Sequence, residues 1–293
     1  KKIGHTGTLD PMAAGVLSMC VGAATRAAEY VECDEKEYRC ELFLGKVTDT
    51  GDIWGTAVEH AGGARVPVSD ITEDMVLEAI RTMEGEQDQY PPIYSAIRKN
   101  GKHLYEYARS GEDVEIEPRS ITVYSIEPVS VFHEPGRVMF DVKCSKGTYV
   151  RSICTDIGEK LGCGAAMCAL ERLASGVFSV EDAIDLESLR TASVEDIEKL
   201  LYPADYPLVH FGQGTVDRHG AKWFVNGGWL ELRRVDIEKR PEFENPEEKF
   251  HIPVKDIYRR MYNIYEKENR NFLGTAYYDE EKKMLVPDKI FQR

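Results

Sequence analysis

The chain has 293 residues, 42% of them hydrophobic and 30% charged, the make-up of a globular protein able to bury a sizeable core in one large domain or two ordinary ones. Its longest apolar run, Val16 to Ala24, is broken by Ser18 and Gly22 and is too short for a membrane span, and Lys1 and Lys2 lead into no signal-peptide core. Seven cysteines with no Cys-x-x-Cys pair argue against a disulfide framework or a zinc site and for a reducing, cytoplasmic setting; a net charge of −14 is unpromising for phosphate contacts, though totals say little about local fields.

In chain order, Gly4-His5-Thr6-Gly7-Thr8-Leu9-Asp10-Pro11 reads as a turn-rich loop, Val16 to Val21 as a short buried strand and Ala23 to Val31 as a helix. From Glu37 to Leu44 the sequence alternates Tyr38, Cys40, Leu42 and Leu44 against Glu37, Arg39, Glu41 and Phe43, which predicts a strand with one buried face. Thr48 to Asp52 is a loop. Thr72 is placed to cap a helix whose apolar stripe is Met75, Val76, Ala79, Ile80 and Met83. Between Pro91 and Ser110, four cations (Arg98, Lys99, Lys102 and Arg109) meet the single acid Glu106, with Tyr94, Tyr105 and Tyr107 interleaved and Tyr90 beside them. RNA loops stack on and pair with such a mixture, and a solvated helix face can look the same.

Strands are expected at Ile121 to Tyr124, Val129 to Phe132 and Val138 to Cys144, then a turn at Ser145-Lys146-Gly147 and a helix from Tyr149 to Leu161 closed by Gly162. Long strands mixed with helices, without regular alternation, indicate an α+β domain on a mostly antiparallel sheet flanked by helices. Tyr202-Pro203-Ala204-Asp205-Tyr206-Pro207 reads as a linker, dividing residues 1–202 from a β-rich 203–293 with one helical stretch near Val254 to Tyr265.

Two glycines, two threonines and a proline around one carboxylate suggest a loop that fixes the pose of Asp10 near backbone donors, although an Asp-Pro by itself is usually a turn or a cap. This eight-residue loop closely resembles that of the TruB family, the bacterial tRNA pseudouridine-55 synthases, in which the aspartate is catalytic. Collinear segments resemble the same family over residues 1 to 185: Lys36-Glu37-Tyr38-Arg39, Gly45 to Asp52, Tyr94 to Arg98, Leu104 to Arg109, Cys144 to Ser152, and Leu170 with Arg172-Leu173-Ala174.

The resemblance implies a pseudouridine synthase fold with an RNA-gripping insert at about 90–118, and a PUA-like C-terminal domain carrying an insertion at about 240–267. It assigns catalysis to Asp10, Arg151 and Tyr38. His5 would sit at the stack the base leaves, Tyr149 would hydrogen-bond near Asp10, and Leu170 would floor the site. Arg98, Lys102 and Arg109 would grip RNA. The implied substrate is the tRNA T-stem-loop, with no metal, no cofactor, no DNA, no membrane and no obligatory protein partner. Family members carry a strand and a Lys-Pro-Gly-type segment ahead of the loop, so an N-terminal segment is expected to be missing here.

The chemistry suits these residues. Breaking the bond from ribose C1′ to uracil N1 builds positive character on the sugar, which an ionised carboxylate stabilises. Burial alone would push that carboxylate's pKa up, and a guanidinium, charged even when desolvated, reverses the tendency. Stacking on Tyr38 is worth about 1–3 kcal/mol, whereas a phenol with a pKa of about 10 is a poor base unless perturbed. A uridine within a folded loop must first be extruded. Two other readings are a guide-dependent relative acting inside a ribonucleoprotein and a non-catalytic RNA-binding protein that kept the fold. Thr6 and Ser145-Lys146-Gly147-Thr148 favour the bacterial type.

Overall fold

The computed structural model describes residues 2–31, 35–58, 65–243 and 255–292. The chain forms two compact units, one of residues 9–16 and 35–174, the other of 1–8, 17–34 and 175–293. Among the described residues no helix is long and apolar enough to cross a membrane.

The unit containing Asp10 is built on a sheet whose strands lie in the order Gly85–Gln89, Arg119–Val131, Arg137–Cys144, Lys36–Leu44, Ala165–Ser175. The first four are antiparallel to one another, and the two-residue strand Ala14–Gly15 runs parallel to the last, pairing with Glu171 and Arg172. Alternation in Lys36–Leu44 does what the sequence predicts: Cys40, Leu42 and Leu44 enter the core and Tyr38 is partly buried. The two strands expected at Ile121 to Tyr124 and Val129 to Phe132 are one long strand. Proline lacks the N–H a ladder needs, and the register slips between Pro128 and Ser130, so one strand continues through an irregularity that reads as a break.

Two helices pack into this core through Val76, Ala79 and Ile80 and through Ile153, Cys154 and Ile157. The first, Glu73–Arg81, is capped by Thr72, whose hydroxyl accepts from the Met75 N–H at 3.3 Å, but Met75 itself stays 41% exposed, so the stripe is narrower than expected. The second, Val150–Lys160, starts after Tyr149 and ends before Gly162, whose φ of +70° suits a glycine. Within it, Gly158 lies so close to Gly164 and Ala165 that a Cβ there would meet their backbone.

In the other unit the strands run Leu230–Glu231, Met284–Ile290, Phe272–Asp279, Met261–Glu266, Gly212–Val216, Asp236–Lys239, with helix Arg218–Val225 capped by Asp217. Phe224, Ile264, Leu273, Ala276 and Leu285 form its core. The expected helix near Val254 to Tyr265 is absent among the described residues, and 244–254 lie outside them. A 3-10 turn at Tyr258–Arg260 leads into strand Met261–Glu266, which pairs on both sides, so tertiary pairing outweighs local preference. The expected buried strand Val16 to Val21 is also different. Only Met19–Val21 is a strand, paired with Ile3–His5, and Met19 is 52% exposed. The expected helix Ala23 to Val31 is a 3-10 turn, Gly22–Arg26, then one helical turn, Ala28–Val31, whose Tyr30 packs edge-on against Phe211 and Tyr258. The stretch from Tyr202 to Pro207 is a packed turn, with the Tyr202 and Tyr206 rings 4.4 Å apart and both against Phe178.

Two stability changes are expected. Gly158→Ala, which in an open helix would stabilise, lowers unfolding free energy by about 1–3 kcal/mol because the helix is forced off the strand. Denaturant unfolding of both proteins checks this. Burial, with Glu159 adding to it, pushes the Asp156 carboxyl up to about 6. Since the folded state holds that proton more tightly than the unfolded chain, the cost is absent below the ordinary carboxylate range and present above about pH 6. Asp156→Asn therefore stabilises at pH 7.5 by about 1 kcal/mol, discounted for partial exposure, and not at pH 4.

Candidate active site

The loop carrying Asp10 is folded back on itself by the Ala13 N–H, which donates to the Asp10 carbonyl at 2.9 Å, and is anchored where Gly15 lies against Arg172. Gly15 has a φ of +96° and no room for a Cβ against the Arg172 backbone, so a glycine is required at that contact. Asp10 itself keeps its side chain 31% exposed.

Arg151, the second residue of its helix, is 5% exposed and turns its guanidinium to meet Asp10. Its Nη1 donates to the Thr50 carbonyl at 3.0 Å, and Nη2 donates to the Tyr94 carbonyl at 3.1 Å and to Asp10 Oδ1 at 3.3 Å. Nε stands 2.9 Å from Oδ2, a charge contact whose N–H lacks hydrogen-bond alignment. A buried guanidinium is costly unless its donors are met; two carbonyls and a carboxylate meet the terminal nitrogens of this one, and Nε has the charge contact alone. The Thr50 carbonyl is presented by a tight loop in which Thr48 Oγ1 donates to the Asp52 carbonyl at 2.6 Å and Thr50 Oγ1 to Asp52 Oδ1 at 2.9 Å. The loop is pinned by the Ile53 N–H to the Met167 carbonyl at 2.9 Å.

Tyr38 belongs to the same constellation. Burial pushes its phenol up to about 12, the charges of Cys144 and Asp10 push the same way, and Arg172 opposes them by charge and by a hydrogen bond. The ring is therefore a neutral aromatic face at physiological pH, a poor proton acceptor at rest. Leu170 is buried in the adjoining core. Tyr149, which precedes the Arg151 helix, is held through its main chain: its N–H donates to Gln89 Oε1 at 2.8 Å and its carbonyl accepts from Gln89 Nε2 at 3.1 Å. His5 is exposed at the end of strand Ile3–His5, in the other compact unit.

Arg98, Lys102 and Arg109 lie on a hairpin, Arg98–Lys99 with Lys102–His103, and the helix Leu104–Ser110 that follows. Arg98 Nε reaches His103 Nε2 at 3.2 Å and Arg109 lies 5.3 Å from the centre of the Tyr105 ring. The local positive charge is smaller than the sequence count, because acids just beyond the counted stretch fold back. Lys102 pairs with Glu112 at 3.1 Å and Lys99 with Glu117 at 3.3 Å.

Arg172 is the residue that sequence reasoning missed, since it reads there as part of an apolar wall. It is 2% exposed, and its Nε donates to the Val16 carbonyl at 2.6 Å. A charged pair, Glu171-Arg172, interrupting an otherwise apolar strand was the available signal. Among the described residues no group of three His, Cys, Asp or Glu is arranged to hold a metal.

The site thus brings a part-exposed carboxylate, a buried guanidinium and a neutral aromatic ring together on an α+β sheet. Two family models match the chain: TruB family pseudouridylate synthase (N terminal domain) over residues 1–150, and tRNA pseudouridylate synthase B C-terminal domain over residues 151–209. The tRNA pseudouridine synthase B of Alkaliphilus oremlandii is 46% identical over 78% of this chain and 73% of its own. That of Clostridium perfringens is 40% identical over 98% of this chain and 90% of its own. Among solved structures, an H/ACA ribonucleoprotein bound to a substrate RNA containing 2′-deoxyuridine matches with a TM-score of 0.67 at 21% identity, over all of this chain and 77% of the other. A Cbf5-Nop10-Gar1 complex matches with 0.67 at 22%, over the same shares. These structural matches bear on the fold, which is the pseudouridine synthase fold. The chain belongs to the TruB family and is a tRNA pseudouridine synthase.

Lysine keeps the charge of Arg151 but cannot reach Thr50, Tyr94 and Asp10 together. Arg151→Lys is expected to slow single-turnover isomerisation of unmodified tRNA by about 10²-fold or more, with tRNA affinity from filter binding little changed.

Proposed function

We propose that this enzyme isomerises uridine 55 in the T-loop of tRNA, in the cytoplasm, with Asp10 as the catalytic carboxylate. The observation that carries the reading is the Asp10–Arg151 ion pair, with Tyr38 in the same unit. The target nucleotide is extruded from its loop so that the ribose C1′ meets Asp10. The N1–C1′ bond breaks with its electron pair leaving on N1, the uracil turns, C5 bonds to C1′, the C5 proton is lost and N1 takes up a proton from solvent, so that product and substrate are isomers. The rearrangement is neither oxidation nor reduction, so it calls for no redox partner.

Asp10 can act by attacking C1′, by attacking the base at C6 or by taking a ribose proton, and all three routes need it ionised. Arg151 sets a positive charge directly against the Asp10 carboxylate, 2.9 Å from Oδ2. Tyr38 offers a face on which the detached base is held as it turns, with Leu170 as apolar backing. Arg98, Lys102 and Arg109 are placed on one small insert, suited to the phosphates and bases of a stem-loop. The presence of Asp10, Arg151 and Tyr38 together favours a catalyst over a non-catalytic RNA-binding relative.

Asp10→Asn removes the charge with little change of shape. Tritium release from C5-labelled uridine in unmodified tRNA transcript is expected to be abolished, with tRNA affinity within several-fold of the unsubstituted enzyme. Turnover that survives the substitution would assign the chemistry to another group, and a product map with pseudouridine elsewhere than position 55 would reject the substrate.

A further inference from the structure

Arg172 is among the largest side chains buried almost completely in this protein, and the reaction as described makes no use of it. A guanidinium is removed from water at considerable cost unless its N–H groups are met. This one connects two parts of the site. Its Nε donates to the Val16 carbonyl at 2.6 Å, and it hydrogen-bonds the Tyr38 hydroxyl. The main chain adds to the same contact: the Val16 N–H donates to the Arg172 carbonyl at 2.9 Å, and Arg172 faces Gly15 in the parallel pairing. The segment leaving the Asp10 loop is thus held to Arg172 by backbone and side chain at once, and the side chain reaches on to the phenol.

Arginine donates and does not accept, so the Tyr38 oxygen is the acceptor and its own proton points away from Arg172. The phenol is thereby fixed at its far end, and the ring cannot slide along the strand without giving up that bond. We propose that Arg172 is a positioning residue for the isomerisation: one guanidinium sets the spacing between the Tyr38 ring and the loop that bears Asp10, and so the width of the slot in which the uracil is held while it turns. The proposal rests on the roles given above to Asp10 and Tyr38. A lysine, with a point charge on a flexible stem, does not span the same two acceptors.

A double-mutant cycle on the full chain tests it, with single-turnover rate and tRNA affinity measured for Arg172→Lys, Tyr38→Phe and the combination. Arg172→Lys is expected to lower the rate by about 10²-fold, the loss typical of a misplaced reacting group, with affinity within about threefold. In the Tyr38→Phe background the same substitution is expected to cost no more than about threefold, because the bond it acts through is already gone. An equal loss in both backgrounds, or no loss in the first, overturns the proposal. If Arg172→Lys fails to fold by circular dichroism, Tyr38→Phe alone decides: a slowed reaction supports an oriented hydroxyl, and the unsubstituted rate rejects it. Full turnover by Asp10→Asn would instead mark failure of the underlying reading.

Discussion

The organising interaction is the fan of contacts from the Arg151 guanidinium to the carbonyls of Thr50 and Tyr94 and to the carboxylate of Asp10. A buried cation tolerates few geometries, because every donor it withholds from water must find an oxygen. Three separate chain segments supply those oxygens, so the charge does for this site what a metal ion does for others: it draws loops distant in sequence to one point. The polarity also suits the chemistry, since the acceptor facing solvent is the carboxylate and the two facing protein are uncharged.

The rest of the unit explains why that guanidinium can be held so firmly. Arg151 leaves the first turn of a helix whose Ile153, Cys154 and Ile157 are locked into the sheet core, and Gly158 lets the helix approach the next strand at backbone distance. Tyr38 sits on a strand whose alternate residues, Cys40 and Leu42, are fully buried, so its ring inherits the rigidity of the sheet. Sites built on helices and strands hold tighter geometry than sites on loops. Of Asp10, Arg151 and Tyr38, Asp10 alone lies on a loop, and that loop is fastened at Gly15 and Val16.

What the sequence made legible follows period and punctuation. The strand at Lys36–Leu44 and the helix at Val150–Lys160 announce themselves by alternation and by Gly162, and the pairing of Asp10 with Arg151 follows from charge logic joined to family resemblance. What stayed hidden depends on partners far along the chain. Pro128 reads as a break and is an irregularity inside one strand. Met261–Glu266 is a strand because Gly212–Val216 and Phe272–Asp279 flank it, which no local window contains. Arg172 was missed because it reads as part of an apolar wall until Val16 and Tyr38 are brought to it.

The insert that carries Lys99 and Lys102 has a quieter consequence. Both ammonium groups are already engaged with carboxylates, of Glu117 and Glu112, before any RNA arrives. On the proposed reading of this insert as an RNA grip, a phosphate docking there displaces a tethered anion as well as mobile salt, so arbitrary RNA gains little by touching this surface. On that same reading, holding these two cations in internal pairs shortens the life of non-specific complexes in an acidic protein.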